Sequence, residues 1–246
     1  MKQLVAFITS GYPEKQFSVD LALALAQNGV DTLELGVPFS DPVADGPLIE
    51  AASHKVLQQG LKFSDVLDIT KEVAPKVDTL WMGYFNSFYQ QKMPKLLPLA
   101  KEMGLSGFII PDLPYEEAVV YDELFQANNL SNISFVAPTD SPQRIEQIVS
   151  NAQKFIYMVA YTGITGSGAS EDLQPFLQTI KEYTKTPVFV GFGVNEKTAK
   201  QKIVGADGVI VGSAFTKVLL EEDTNFTQKI QKCCDIASII KEEINS

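Results

Sequence analysis

Short apolar runs rich in β-branched residues recur along the whole chain, and stretches with a different spacing separate them. Eight of these runs are predicted to be buried strands, and they lie at residues 4–8, 32–35, 79–82, 107–110, 133–136, 155–159, 187–190 and 208–211. Helical spacing of apolar residues is found between them, at residues 17–28, 48–73 in pieces, 93–103, 116–128, 143–151, 173–183 and 197–204, and in a closing helix toward residue 244. Strands that alternate with helices pair in parallel, so this order predicts an α/β fold.

The number of repeats indicates how the predicted sheet is arranged. Eight strand and helix repeats in roughly 250 residues favour a closed (β/α)8 TIM barrel over an open sheet. No linker or low-complexity segment interrupts the order, so residues 1–246 are expected to form one barrel domain. In such a barrel the active-site residues lie where strands end and pass into the loops before the helices.

The composition narrows the range of partners and compartments. A net charge of −10 leaves no basic surface for nucleic acid or for an anionic membrane. No window approaches the roughly 18 apolar residues of a membrane span, and the start lacks the pattern of a signal peptide. The two cysteines, Cys233 and Cys234, are adjacent, which suits neither a disulfide framework nor a metal site. We expect a cytoplasmic protein without a bound metal.

The second predicted strand contains a carboxylate, and burying one there costs several kcal/mol unless something compensates. Alternation of side chains places Glu34 on the face of Thr32 and Gly36, and the leucines of the strand on the other face. The connection that follows has three prolines and two aspartates before a helix can begin near residue 48, which is longer than usual. Glu34 and this loop are therefore predicted to carry the chemistry.

The choice of a second carboxylate stays open at this point. Asp41 precedes a proline and Asp45 precedes a glycine, and both dipeptides are ordinary turn formers. Asp112, which lies between two prolines after the fourth strand, is either a second buried carboxylate or another turn residue.

Glycines at the ends of the last two predicted strands indicate a phosphate site. The seventh strand ends in Gly191-Phe192-Gly193 and the eighth in Gly212-Ser213, so both loops can expose backbone N–H groups, and a helix that starts at Ser213 adds its positive end. Residues 161–169, after the sixth strand, are rich in glycine and hydroxyl groups. They form either a mobile lid or an ordinary surface loop.

With these residues placed, the sequence resembles the tryptophan synthase alpha subunit family. The stretch LELGVPFSDPVADGP at residues 33–47 is close to that family's signature and is long enough to be highly specific. Shorter matches follow in the same order at residues 84–86, 111–114, 163–166, 191–193 and 212–213, so the resemblance extends over nearly the whole chain.

The resemblance implies a lyase that cleaves indole-3-glycerol phosphate to indole and glyceraldehyde 3-phosphate by acid/base retro-aldol chemistry, with no cofactor of its own. The family's catalytic glutamate falls on Glu34 and its catalytic aspartate on Asp45. A carboxyl group in an apolar barrel mouth has a raised pKa, so Glu34 can act as acid and then as base, while an ionised Asp45 holds the indole N–H. The implied partner is a pyridoxal-phosphate-dependent beta subunit in an α2β2 heterotetramer, with contact expected near Asp41 and Pro42.

The resemblance also implies a set of substrate-binding residues. They comprise Phe7, Thr9 and Phe192 on the indole side, the aromatic pocket residues Tyr84 and Tyr157, Gly166, Gly193, Gly212 and Ser213 around the phosphate, and Thr165, which steadies the catalytic aspartate when the lid closes. For the aromatic residues, simple core packing is the alternative interpretation.

Two departures from the family pattern limit what is carried over. Many members have Ser-Arg before the lid glycine, where this chain has Ala160-Tyr161-Thr162, so a lid arginine contact is not expected. This sequence also begins almost at the first strand, without the N-terminal helix that many members place under the barrel. The barrel floor is therefore expected to be covered by something else or left partly open.

Two other functions compete with the lyase. One is another phosphate-binding barrel, such as a sugar phosphate isomerase, because the fold and the phosphate site are widely shared. The other is a regulatory subunit whose lid switches a second enzyme. A buried Glu34 discriminates between the lyase and the regulator, since a pure activator needs no carboxylate at that strand end.

Overall fold

The computed structural model describes residues 1–159 and 173–246 of the chain. Nine strands of the described residues form one parallel sheet. They are β1 (Gln3–Thr9), β2 (Thr32–Gly36), β3 (Asp78–Met82), β4 (Gly107–Ile109), β5 (Ser131–Asn132), β6 (Ser134–Val136), β7 (Ile156–Met158), β8 (Val188–Val190) and β9 (Gly208–Val211).

The order of the strands is that of a barrel. Neighbours follow the order β5-β4-β3-β2-β1-β9-β8-β7-β6, so the two edge strands are β5 and β6, which only Ile133 separates in sequence. The Ile133 N–H donates to the carbonyl oxygen of Phe108 at 2.9 Å, while β6 pairs with β7. One interrupted strand thus links both edges, and the predicted TIM barrel is confirmed. The predicted start of the fifth strand at residue 133 was wrong, because pairing begins at Ser131.

Helices surround the strands and mostly follow the predicted order. They are α1 (Lys15–Gln27), α2 (Pro47–Gln58), α3 (Phe63–Val73), α4 (Phe85–Tyr89), α5 (Met93–Glu102), α6 (Tyr115–Ala118), α7 (Asp122–Ala127), α8 (Pro142–Val149), α9 (Gln174–Tyr183), α10 (Ala199–Lys202), α11 (Ser213–Leu219) and α12 (Phe226–Glu243). Within the described ranges, no helix is both long enough and apolar enough to cross a membrane.

Two helical predictions needed correction, and one helix was missed. The helix predicted at 116–128 is divided into α6, a 3-10 turn at Val119–Tyr121, and α7. The β-branched Val120 is 76% exposed there, so neither propensity nor burial favours a continuous helix. The helix predicted at 197–204 is reduced to α10, because the Asn195 side chain accepts the N–H of Lys197 and forms a turn instead. Helix α4 was not predicted at all.

Side chains of the strands divide between two cores. Leu33 and Leu35 of β2 belong to the outer core, between the barrel and its helices, which confirms the predicted alternation around Glu34. The inner core fills the barrel itself and consists of Val5, Leu80, Ile109, Ile133, Phe155, Phe189 and Ile210.

The end of the barrel where the strands begin is closed by the chain's own side chains. The rings of Phe155 and Phe189 stack with centroids 4.4 Å apart. Lys154, just before β7, donates to both carboxylate oxygens of Asp78, at the start of β3, at 2.9 and 2.7 Å. Because β4 and the interrupted strand β5–β6 lie between β3 and β7, this ion pair reaches across part of the floor. Phe155 and Phe189 are only 1% and 5% exposed, so the chain's own side chains cover this end of the barrel.

Candidate active site

Eight of the predicted site residues line a single cavity of about 670 Å³ at the end of the barrel where the strands finish. These residues are Phe7, Glu34, Asp45, Tyr157, Phe192, Gly193, Gly212 and Ser213. They come from both ends of the sequence, and the closure of the barrel through neighbouring β1, β2, β8 and β9 brings them together.

Glu34 is held inside the barrel mouth by β2. Its side chain points inward, opposite Phe7 of β1, and the residue is only 2% exposed. The Oε1 atom has no hydrogen-bond partner among the described residues. Burial raises the pKa of this carboxyl to about 8, because no donor compensates the loss of water around the charged form. Glu34 is therefore a neutral carboxylic acid at neutral pH.

Tyr157 of β7 faces the same cavity beside Glu34. Its ring stacks on Phe135 with centroids 5.0 Å apart. A side chain at Gly191 would bring its Cβ within 2.3 Å of the Tyr157 hydroxyl, so the glycine after β8 makes the space for this ring. Burial, and then the nearby charges of Glu34 and Asp45, raise the pKa of Tyr157 well above its usual value. The phenol stays neutral and can donate a hydrogen bond.

Asp45 is fixed in the loop between β2 and α2 by a tyrosine from another strand end. The Tyr84 hydroxyl donates to Asp45 Oδ1 at 2.8 Å and accepts the N–H of Ala44 at 3.0 Å. Burial raises the pKa of Asp45, and the hydrogen bond from Tyr84 partly offsets this. Tyr84 is itself packed against Phe39, with ring centroids 5.3 Å apart. The loop therefore presents a positioned carboxylate to the cavity.

The structure separates the three aspartates that the sequence pattern left equivalent. Asp45 lines the cavity, whereas Asp41 is exposed and accepts a hydrogen bond from the adjacent Ser40 hydroxyl. Asp112 is exposed too, and its Oδ1 accepts the Phe85 N–H at 2.8 Å. The hypothesis that Asp112 is a second buried carboxylate was wrong, because the side chain turns outward to the start of α4.

The glycine-rich end of the cavity lies where β8 and β9 finish. Gly193 has a φ of +65°, a conformation that residues with side chains rarely adopt. Gly212 is close to its neighbours, since an added Cβ would lie 3.2 Å from Ile49 and 3.3 Å from Phe7. Ser213 then begins α11. At both loops the backbone therefore comes close to the cavity, so that its N–H groups can bind a phosphate.

Four predicted residues are not on the described cavity wall. Thr9 is buried at the end of β1, with its hydroxyl lacking a partner among the described residues, and Tyr84 lies behind Asp45. Thr165 and Gly166, together with the predicted lid at 161–169 and the departure at Ala160, lie outside the described residues.

Sequence reasoning missed two cations of this cavity. Lys197 and Lys217 line the wall near the glycine-rich end. Each lies four residues after a residue already predicted there, namely Gly193 and Ser213. This spacing could have indicated that both lysines lie near the phosphate site. It was overlooked because exposed lysines are common on protein surfaces.

The arrangement suits acid and base chemistry on an anionic substrate. A neutral carboxylic acid and a positioned carboxylate face the same cavity, beside the aromatic rings of Phe7 and Tyr157. Such a pair, with unequal environments, can divide the roles of proton donor and charge stabiliser. The two glycine-rich loops offer N–H groups for the anionic end.

Comparisons with known proteins agree with one another. A family model described as "Tryptophan synthase alpha chain" matches residues 1–245. The tryptophan synthase alpha chain of Wolinella succinogenes is 52% identical over 247 residues, which cover 100% of this chain and 97% of the relative. Among solved structures, the tryptophan synthase alpha chain from Legionella pneumophila is 31% identical with a TM-score of 0.89, covering 99% of this chain and 92% of that one. Tryptophan synthase from M. tuberculosis is 28% identical with a TM-score of 0.89, covering 100% and 94%.

The matches span the barrel from end to end, and the family model includes both β2, which carries Glu34, and the loop that carries Asp45. The chain belongs to the tryptophan synthase alpha chain family, the lyases that cleave indole-3-glycerol phosphate in tryptophan biosynthesis.

Proposed function

We propose that Glu34 is the acid and base of the lyase reaction and that Asp45 stabilises the charge that develops on the indole ring. The observation that carries this proposal is the environment of Glu34, a buried carboxyl with a pKa of about 8 and an unpartnered oxygen on the cavity wall. A group with this pKa holds its proton at neutral pH and can take it back within one turnover.

The proposed reaction moves one proton to carbon and another away from oxygen. The Glu34 carboxyl protonates indole C3, and the ring nitrogen becomes positive while its N–H donates to the Asp45 carboxylate. The Glu34 carboxylate then accepts the proton of the hydroxyl on the adjacent glycerol carbon. As the bond from that carbon to C3 breaks, its electron pair returns to the ring. Indole and glyceraldehyde 3-phosphate leave, and Glu34 is protonated again.

The remaining predicted residues are proposed to bind and orient the substrate. Tyr84 holds Asp45 in place through its 2.8 Å hydrogen bond, which also stabilises the ionised form. Phe7 and Phe192 provide apolar walls for the indole ring, and Tyr157 packs beside Glu34. Gly193, Gly212 and Ser213 surround the phosphate, with Thr9, Thr165 and Gly166 kept as predicted binding residues.

The test is indole release from indole-3-glycerol phosphate by purified protein. Asp41→Asn is a matched control for Asp45→Asn, because both aspartates lie in one loop but only Asp45 reaches the cavity. We expect Glu34→Gln and Asp45→Asn to lose at least about 100-fold in kcat, and Asp41→Asn to retain it. Wild-type protein that is folded but releases no indole, alone or with a beta subunit, would rule out the mechanism.

We also propose that the partner is a pyridoxal-phosphate-dependent beta subunit in an α2β2 heterotetramer, which consumes the indole, and that this chain holds no cofactor. Three exposed apolar side chains support a docking face at the cavity end of the barrel. Val43, Tyr89 and Val120 are 79%, 60% and 76% exposed, and they lie on the connections after β2, β3 and β4. Exposed apolar side chains on three successive connections are available for burial against a partner.

The docking face can be tested by placing a charge in it. Val43→Asp is expected to weaken the complex with a beta subunit at least about tenfold in sedimentation experiments, because it buries a charge in an apolar contact. Val204→Asp is the control, since Val204 is 47% exposed near the end of α10, outside the three connections. Equal affinity of wild type and Val43→Asp would exclude this face.

The two cysteines support a proposed cytoplasmic location. Cys233 and Cys234 are both free and buried on α12. Burial raises the pKa of the Cys233 thiol to about 12, so it has the character of an unreactive core residue.

A further inference from the structure

We infer that Lys197 and Lys217 form a pair of cations that recognises the dianionic phosphate of the substrate and sets the preference for a phosphate monoester over an uncharged analogue. The inference rests on the proposed function, because it concerns the anionic end of the same cavity. Neither residue belongs to the glycine and serine cradle that the sequence predicted.

Both lysines lie beside that cradle. Lys217 is one helical turn after Ser213 on α11, so the two residues lie on the same face of the helix. Lys197 follows Gly193 by four residues, in the turn that Asn195 and Thr198 stabilise. Both lysines line the cavity wall. The two loops that offer backbone N–H groups thus each bring one cation to the cavity.

The two ammonium groups have no carboxylate partner among the described residues. Other lysines are engaged, as in the pairs of Lys154 with Asp78 and of Lys232 with Glu221. Ion pairs in the described ranges include neither Lys197 nor Lys217. An unpaired cation on a cavity wall remains available for an anionic ligand.

The charge of the rest of the molecule opposes binding of an anion, and the two lysines offset this locally. The chain has a net charge of −10, which repels a dianion at long range. Four acidic residues line the cavity. Glu34 is neutral and Glu221 is paired with Lys232 at 2.6 Å, which leaves Asp45 and Glu196. Lys197 and Lys217 are the cations of the described wall. They supply the positive charge that neutral backbone N–H groups lack.

The experiment measures KM and kcat for indole-3-glycerol phosphate in Lys197→Met, Lys217→Met and the double variant. We expect KM to rise about two- to fivefold for each lysine, as for exposed charge pairs, while kcat stays unchanged because neither ammonium group touches the reacting carbon. Arginine at either position should restore KM. Glu196→Gln should lower KM, since it removes a like charge. Lys200→Met is the control, because Lys200 is exposed on α10 and does not line the cavity.

Salt and a second ligand separate this inference from the proposed function. Salt screens both the attraction by the two lysines and the repulsion by the net negative charge. The double variant lacks the attraction, so its kcat/KM should rise relative to that of wild type as ionic strength increases. Calorimetry with glycerol 3-phosphate measures binding of the phosphate monoester without any cleavage. Weaker binding in the lysine variants, whether or not indole is released, supports the inference. Binding equal to that of wild type and of Lys200→Met would overturn it even if cleavage is normal.

Discussion

Glu34 shows how much a single side chain depends on its surroundings. The same carboxyl would ionise near pH 4.5 in water, but inside the barrel its pKa lies at about 8. No donor from the described chain reaches Oε1, and the neighbouring Tyr157 is neutral. A residue that looks unfavourable for folding is therefore suited to proton transfer, as is common where stability is given up for activity.

The pH dependence of the lyase reaction follows from this value. The first step needs the protonated form of Glu34, so kcat should fall as pH rises through about 8. The measurement is a pH profile of single-turnover indole release. It covers roughly two pH units on either side of the Glu34 pKa, from about pH 6 to about pH 10. A profile that stays flat through pH 8 and falls only near pH 10 would assign the acid to another group.

The same shift predicts how stability changes with pH. The folded pKa lies above the unfolded value of 4.5, so the folded chain retains a proton that the unfolded chain loses. The contribution of Glu34 to stability should be most favourable below pH 4.5 and should decline as pH rises from 4.5 to about 8. A glutamine at this position cannot ionise in the unfolded chain, so Glu34→Gln should raise the free energy of unfolding at pH 7 by up to about 3 kcal/mol. Denaturant titrations at several pH values measure this, and an unchanged pH slope in the variant contradicts it.

At the scale of elements, the strands were predicted well because each is decided locally. Inward and outward faces alternate along β2 as its sequence requires, and β9 matches the predicted residues 208–211. Helix α4 was missed because its first N–H group is satisfied by Asp112, from a loop 27 residues away. Helix α4 has only five residues, and the spacing of apolar positions within them cannot predict a hydrogen bond to Asp112.

Asp112 is therefore predicted to stabilise α4. Its carboxylate accepts the Phe85 N–H at 2.8 Å, as a capping residue does for the first turn of a helix. Asp112→Ala should lower the free energy of unfolding by about 1 kcal/mol, measured by thermal or denaturant unfolding. Asp223→Ala serves as the comparison, because Asp223 is exposed and has no ion pair in the described part of the chain. Similar losses in both variants would argue against the capping role.

At the scale of the whole molecule, the two ends of the barrel have different roles. The end where strands finish holds the cavity, while the opposite end is closed by Phe155, Phe189 and the ion pair of Lys154 with Asp78. Burial alone would raise the pKa of Asp78. Hydrogen bonds from Lys154, Ser106 and Thr32 outweigh it and hold that pKa below its usual value.

The ion pair across the floor should make stability sensitive to acid. Because the folded pKa of Asp78 is lowered, its contribution is present above about pH 4 and is lost as pH falls through the folded value. Lys154→Met should lower the free energy of unfolding at pH 7 by about 1 kcal/mol, since both side chains are partly exposed. The difference from wild type should shrink as pH falls below 3.8 and vanish once Asp78 is protonated in the folded chain. Lys76→Met is the control, because Lys76 is exposed and has no ion pair among the described residues. An equal loss of stability in Lys76→Met would show that the ion pair of Lys154 with Asp78 does not stabilise the fold.

The sequence by itself determined the barrel, the order of its strands and the inward direction of Glu34, because these follow from hydrophobic period and chain order. The motif at residues 33–47 also indicated the family, which the comparisons confirmed. The residue pattern without the family resemblance left Asp41 and Asp45 equivalent. The tertiary structure gives the physical reason for Asp45, which is a hydrogen bond from Tyr84, 39 residues away. Only the tertiary structure showed the covered floor and the lysines at the phosphate end. Each depends on which distant side chains come into contact when the barrel closes, and the local hydrophobic pattern does not predict such contacts.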